Sequence, residues 1–156
     1  MENAVQVKGF YHLQIEEDGR IVGDSGWLEN TVVNDGFNNF LVKSLGSIAG
    51  SAYVSHINVG TGTAPAAANT SLSGEVTGTN GAVQRAAVTA ATSSTSKTLR
   101  FTGTMSSANS FVTTSENISN VGLFGHSTAA SLFAGNTYAS SSVATNQNVN
   151  VGVPCW

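Results

Sequence analysis

The chain is 156 residues long, with a mass of 15.9 kDa, a formal charge of −3 and a pI near 5.4. This length suits one domain with a single core. The acidic balance and the lack of any Lys/Arg cluster exclude nucleic-acid binding, which needs clustered cations to displace condensed counterions.

Hydrophobic residues make up 40% of the chain and charged residues 10%, where soluble domains average about 25% charged. From Ser47 onward the only charged side chains are Glu75, Arg85, Lys97, Arg100 and Glu116. The remaining polarity is Ser, Thr, Asn and Gly. Such a surface lets identical copies pack closely without desolvating like charges against each other. A secreted or adhesive domain shares this composition, and composition does not separate the two. The lone Cys155 excludes an intrachain disulfide, and with it a cysteine-built zinc framework or redox pair. The sequence has no basic segment leading into a long apolar one, and no run of about 18 apolar residues. A soluble chain without export signal, membrane partner or cofactor is expected.

In chain order, Val5, Val7, Tyr11, Leu13 and Ile15 alternate with a break at Gly9, the period of a half-buried strand. Asp18-Gly19 predicts a tight hairpin turn, with Arg20 to Val22 returning antiparallel. Seven of the nine acidic residues lie in the first 35 positions. Residues 1–33 are therefore expected as a hairpin or arm distinct from a body at 34–156, and as an assembly contact. Asn34 or Asp35 as N-cap, the stripe Phe37, Phe40, Leu41 and Leu45, and Gly46 as a stop predict an entry helix over 35–45. Strands are expected over 54–59, 82–91, 98–105, 118–124, 131–139 and 143–153, with turns such as Gly60-Thr61-Gly62, Asn80-Gly81 and Ser106-Ser107 between them. In the last strand Val149, Val151 and Val153 alternate with Asn148 and Asn150. The expected fold is all-β: a single β-sandwich, with the jelly roll as a candidate topology, one short helix and the N-terminal hairpin or arm.

Chemistry-bearing motifs are few. Gly60-Thr61-Gly62 fails as a dinucleotide loop because Pro65 stands where the third glycine is needed and no helix-forming run follows. It reads as a strand-ending turn whose glycines take positive φ. His12, His56 and His126 are too scattered for a helical metal pair. No Gly-x-Ser-x-Gly elbow occurs. From Ser47 onward Glu75 and Glu116 are the only carboxylates that could pair for glycosidase chemistry, and Glu116 is expected to meet Arg85 or Arg100, or to cap a turn. Asn69-Thr70-Ser71 and Asn117-Ile118-Ser119 match the glycosylation sequon, as chance allows in a chain this rich in Asn, Ser and Thr. Trp27 and Trp156 are read as packing or interface anchors.

The run His56-Ile57-Asn58-Val59-Gly60-Thr61-Gly62-Thr63-Ala64-Pro65, continuing through Asn69-Thr70-Ser71-Leu72 to Glu75-Val76, resembles a recurring structural protein of tailed-phage virions. So do Val121-Gly122-Leu123-Phe124, Leu132-Phe133-Ala134, and the helix with Asn34, Gly36, Phe40 and Leu41. The resemblance runs from about Asn34 to Val153. It implies a non-enzymatic virion component of capsid or tail, since relatives are described as tail-fibre, head-decoration or unassigned structural proteins. The resulting expectation is a cement or decoration protein on the outer surface of the capsid, a homotrimer partnered by itself and the major capsid protein. The alternatives are a tail or short-fibre component partnered by tail proteins and, more remotely, a carbohydrate-binding adhesin domain. Expected assembly contacts are Val5, Val7, Tyr11, Leu13, Trp27, Val121, Leu123, Phe124 and Trp156, with no catalytic and no metal residues.

Overall fold

The computed structural model describes residues 7–155 apart from 80, 94, 96 and 97. Ten strands run through them in chain order: β1 Phe10–Glu17, β2 Arg20–Glu29, β3 Thr31–Val32, β4 His56–Gly60, β5 Ala86–Ala87, β6 Thr89–Ser93, β7 Thr98–Met105, β8 Glu116–Phe124, β9 Leu132–Val143 and β10 Asn148–Cys155. They form two antiparallel five-stranded sheets, ordered β2-β1-β10-β7-β6 and β3-β9-β8-β4-β5. The fold is an all-β sandwich. Alternation carries each inner face: Tyr11, Leu13 and Ile15 from β1 and Val149, Val151 and Val153 from β10 meet Ile57, Val59, Ile118 and Leu123 of the opposite sheet in one core.

Asp18 and Gly19 both take positive φ, 49° and 76°, and Glu17 pairs directly with Arg20. That is the two-residue turn whose twist matches the strands it joins. The described part of this segment, residues 7–33, is not a separate arm, however. Strand β1 is interior to its sheet, paired with β2 on one side and β10 on the other, and Tyr11 Oη donates to Ala134 O, 2.8 Å away across the sandwich. The described acidic residues of this segment, Glu16, Glu17, Asp18, Asp24 and Glu29, fall at the turn and at non-core positions, while the alternate positions of β1 carry core. Charge clustering along the chain thus marked a surface and not a domain boundary.

The helix begins near the expected place but is wound differently. Gly36–Val42 is a π-helix that passes into an α-helical turn at Lys43–Leu45, and the Lys43 N–H donates to Asn38 O, five residues back. With i→i+5 bonds each turn takes in extra residues, so Phe37, three residues before Phe40, rotates out of the inner stripe. Phe40 is buried against Phe133, ring centroids 5.3 Å apart, and Leu41 is half-buried. Phe37 and Leu45, expected beside them, face outward. Neither Asn34 nor Asp35 caps the helix through its side chain: Asp35, at the N-cap position, makes no capping bond and accepts from Asn39 instead.

A second apolar cluster, Val33, Leu72, Phe124 and Leu132, lies on the other face of the β3-β9-β8-β4-β5 sheet, beneath the long connection after β4. That sheet is therefore covered on both faces, which is why β8 is buried almost continuously from Asn120 to Phe124. Cys155 lies buried at the end of β10, and burial pushes its thiol up to about 11.

Candidate functional site

The run from His56 to Val76 is held by a latch of buried polar side chains. Asn58, fully buried on β4, donates through Nδ2 to Glu75 Oε1 and to the Val76 carbonyl, each 3.1 Å away. Asn120, fully buried on β8, donates to the carbonyls of Thr63 and Ser73 at 3.0 and 2.8 Å. Arg85 grips both oxygens of Glu75, at 2.6 and 3.0 Å, and its Nη1 donates to the carbonyls of His126 and Ala129. Its guanidinium lies 3.6 Å above the Phe124 ring. Arg85 therefore meets Glu75 and is not the partner of Glu116, which removes one of the alternatives expected for Glu116. The two side chains are 2% and 9% exposed, so this is a desolvated bidentate ion pair. Gly60 and Gly62 act here by close approach and not by positive φ: a Cβ on Gly62 would stand 2.4 Å from Ser73 O. The sequence reading missed the latch because Asn58, Glu75, Arg85 and Asn120 are brought together by strand pairing and not by spacing.

A second feature lies where the sandwich opens beside the helix. Phe40, Leu41, Val54, Leu99, Phe101 and Cys155, with Val7, line an apolar cleft of about 350 Å³. On the helix and the segment that folds back to it, Phe37, Val42, Leu45, Ile48 and Tyr53 are exposed, Leu45 by 88% and Tyr53 by 76%. Ala52 N–H donates to Asn39 O and ties this segment to the helix. Between Gly36 and Ser55 the only charge is Lys43. Large apolar side chains exposed within one short segment, with a single charge among them, point to an interaction surface.

The expected assembly contacts separate into three groups. Tyr11, Leu13, Val121, Leu123 and Phe124 are buried in the chain's own core and have no surface left for a partner; strand residues with large apolar side chains are taken up by the sandwich first. Val7 lines the apolar cleft, and Trp27 is 55% exposed on the edge strand β2. Val5 and Trp156 lie outside the described residues. Among the described residues, no three His, Cys, Asp or Glu side chains cluster as a metal site, and no helix is long and apolar enough to cross a membrane.

On the outer face of the β2-β1-β10-β7-β6 sheet, Trp27 lies against His12, ring centroids 4.7 Å apart. His12 Nε2 is 2.7 Å from Asp24 Oδ1, Gln14 Nε2 donates to Oδ2 at 2.9 Å, and the Gly26 N–H donates to Oδ1. The Gln14 bond first, then Gly26 and His12, hold the Asp24 carboxyl down to about 2 from an ordinary 3.8. A carboxyl depressed on folding stabilises the hairpin at pH values above its unfolded value, and this contribution is lost as pH falls from about 3.8 through about 2. In an NMR titration of carboxyl carbons, Asp24 should remain ionised at pH 3, and Gln14→Ala should move its midpoint upward. An Asp24 midpoint near 4 in the intact protein would contradict these contacts.

No family model, no curated protein and no solved structure matches the chain.

Proposed function

We propose that the chain is a structural subunit of a tailed-phage particle, a cement or decoration protein that joins neighbouring capsid subunits on the outer shell and associates with itself as a homotrimer. The observation that carries this reading is the apolar belt of Phe37, Val42, Leu45, Ile48 and Tyr53 beside an open apolar cleft, with one charge among twenty residues from Gly36 to Ser55. A surface of this kind is stable when covered, and its low charge suits contact with further copies of the same chain. The resemblance of the His56–Val76 run to virion proteins points to the particle, and the latch shows how that run is used, as a rigid cover over one sheet. This reading assigns no catalysis, and the engagement of Glu75 by Arg85 supports it.

The test is the amount of this chain in purified particles relative to the major capsid protein. A cement protein should approach the capsid protein in copy number. Stoichiometry in the range of a tail component would reject the shell assignment in favour of the tail or short-fibre alternative.

A further inference from the structure

We propose that the outer face of the β2-β1-β10-β7-β6 sheet is a binding trough for a saccharide bearing a carboxylate, a role separate from self-assembly. Strand register sets its shape. Trp27, His12, Gly152, Thr102 and Thr89 stand in one row across all five strands. The next row is Asp24, Gln14, Asn150 and Thr104, and the row on the other side contains Pro154, Arg100 and Ala91. Gly152 contributes no side chain at the centre, so the flanking residues enclose a depression of about 560 Å³, within the range of small-ligand sites.

The trough's lining and its Trp27 edge match a sugar in three respects. Trp27, half exposed and seated on His12, offers an aromatic surface beside the trough for the apolar face of a pyranose ring. Gln14, Thr102, Thr104 and Asn150 supply amide and hydroxyl groups suited to sugar hydroxyls. Arg100 supplies the charge: among the described residues the ion pairs are His12–Asp24 and Glu75–Arg85, so this guanidinium has no carboxylate of its own. A carboxylate on the ligand completes it as a charge-assisted, bidentate pair. Glu16 and Asp24, already bonded to Asn150 and to Gln14 and His12, lie toward the other end, so they repel an anion there and direct it to Arg100. Addition of a peptide strand is disfavoured, because β1, β10 and β7 beneath the trough are paired on both edges.

Affinity electrophoresis of the full chain through gels containing alginate, hyaluronan or dextran tests this. Retardation by alginate or hyaluronan, with none by dextran, is the expected result. Arg100→Gln and Trp27→Ala should each weaken it by about tenfold, the effect of losing one good contact, with the melting temperature unchanged. Should Trp27→Ala fail to fold, Thr102→Trp, which fills the trough from an outward position, should abolish retardation instead. No retardation by either acidic polysaccharide, equal retardation by dextran, or full binding by Arg100→Gln would overturn the proposal.

Discussion

Deleting residues 1–17 should abolish folding, because β1 is an interior strand of its sheet. The deletion removes Tyr11, Leu13 and Ile15 from the core, and burial of such side chains contributes roughly 1.5–3 kcal/mol each. It also removes the Tyr11 bond to Ala134 that joins the two sheets and leaves β10 and β2 without their shared neighbour. The loss is of the same order as the whole stability of a small domain, about 5–15 kcal/mol. Circular dichroism of the truncated chain should lack the cooperative thermal transition of the intact protein. A truncated chain that melts cooperatively would mean that this segment is an accessory arm after all.

Breaking the latch should cost as much as truncating a large core side chain. In Glu75→Ala the Arg85 guanidinium, 2% exposed, keeps its charge in a desolvated place, and loss of one partner from a buried pair costs about 3–5 kcal/mol. The cover over Leu72, Val33 and Phe124 loosens with it, since Asn58 also loses a bond to Glu75. The double replacement Glu75→Leu with Arg85→Met removes both charges and should recover most of the loss. Urea unfolding of the three chains measures this directly. A change below about 1 kcal/mol in Glu75→Ala would place the pair among weakly coupled surface contacts.

Much of the architecture was legible because a half-buried strand writes its two faces into alternate residues. Strand β7 has the predicted limits, β10 lies where Val149, Val151 and Val153 alternate, and Asp18-Gly19 makes the hairpin turn. Other features depend on partners that the sequence does not order. The π-winding at Gly36–Val42 turned Phe37 and Leu45 outward from a stripe that an α-helix would have buried. Apolar strand residues such as Leu123 and Phe124 were read as contacts between copies, but the cover after β4 gives β8 a second buried face. The latch and the trough both arise from register across strands far apart in the chain. Arg85 reaches Glu75 over ten residues but the Ala129 carbonyl over 44, and His12 faces Gly152 across nearly the whole chain.

The proposed role rests on association through apolar surface, and light scattering of the purified protein from low to molar salt tests this most directly. Burial of apolar area contributes roughly 25 cal/mol per Å² and is not screened by ions, whereas exposed ion pairs contribute only about 0–1 kcal/mol each and weaken with salt. The mass of a trimer is therefore expected throughout the salt range, and Leu45→Asp, which places a charge on the most exposed side chain of the belt, should shift it to monomer. A monomer at every salt concentration, or a trimer that dissociates as salt rises, would contradict the account.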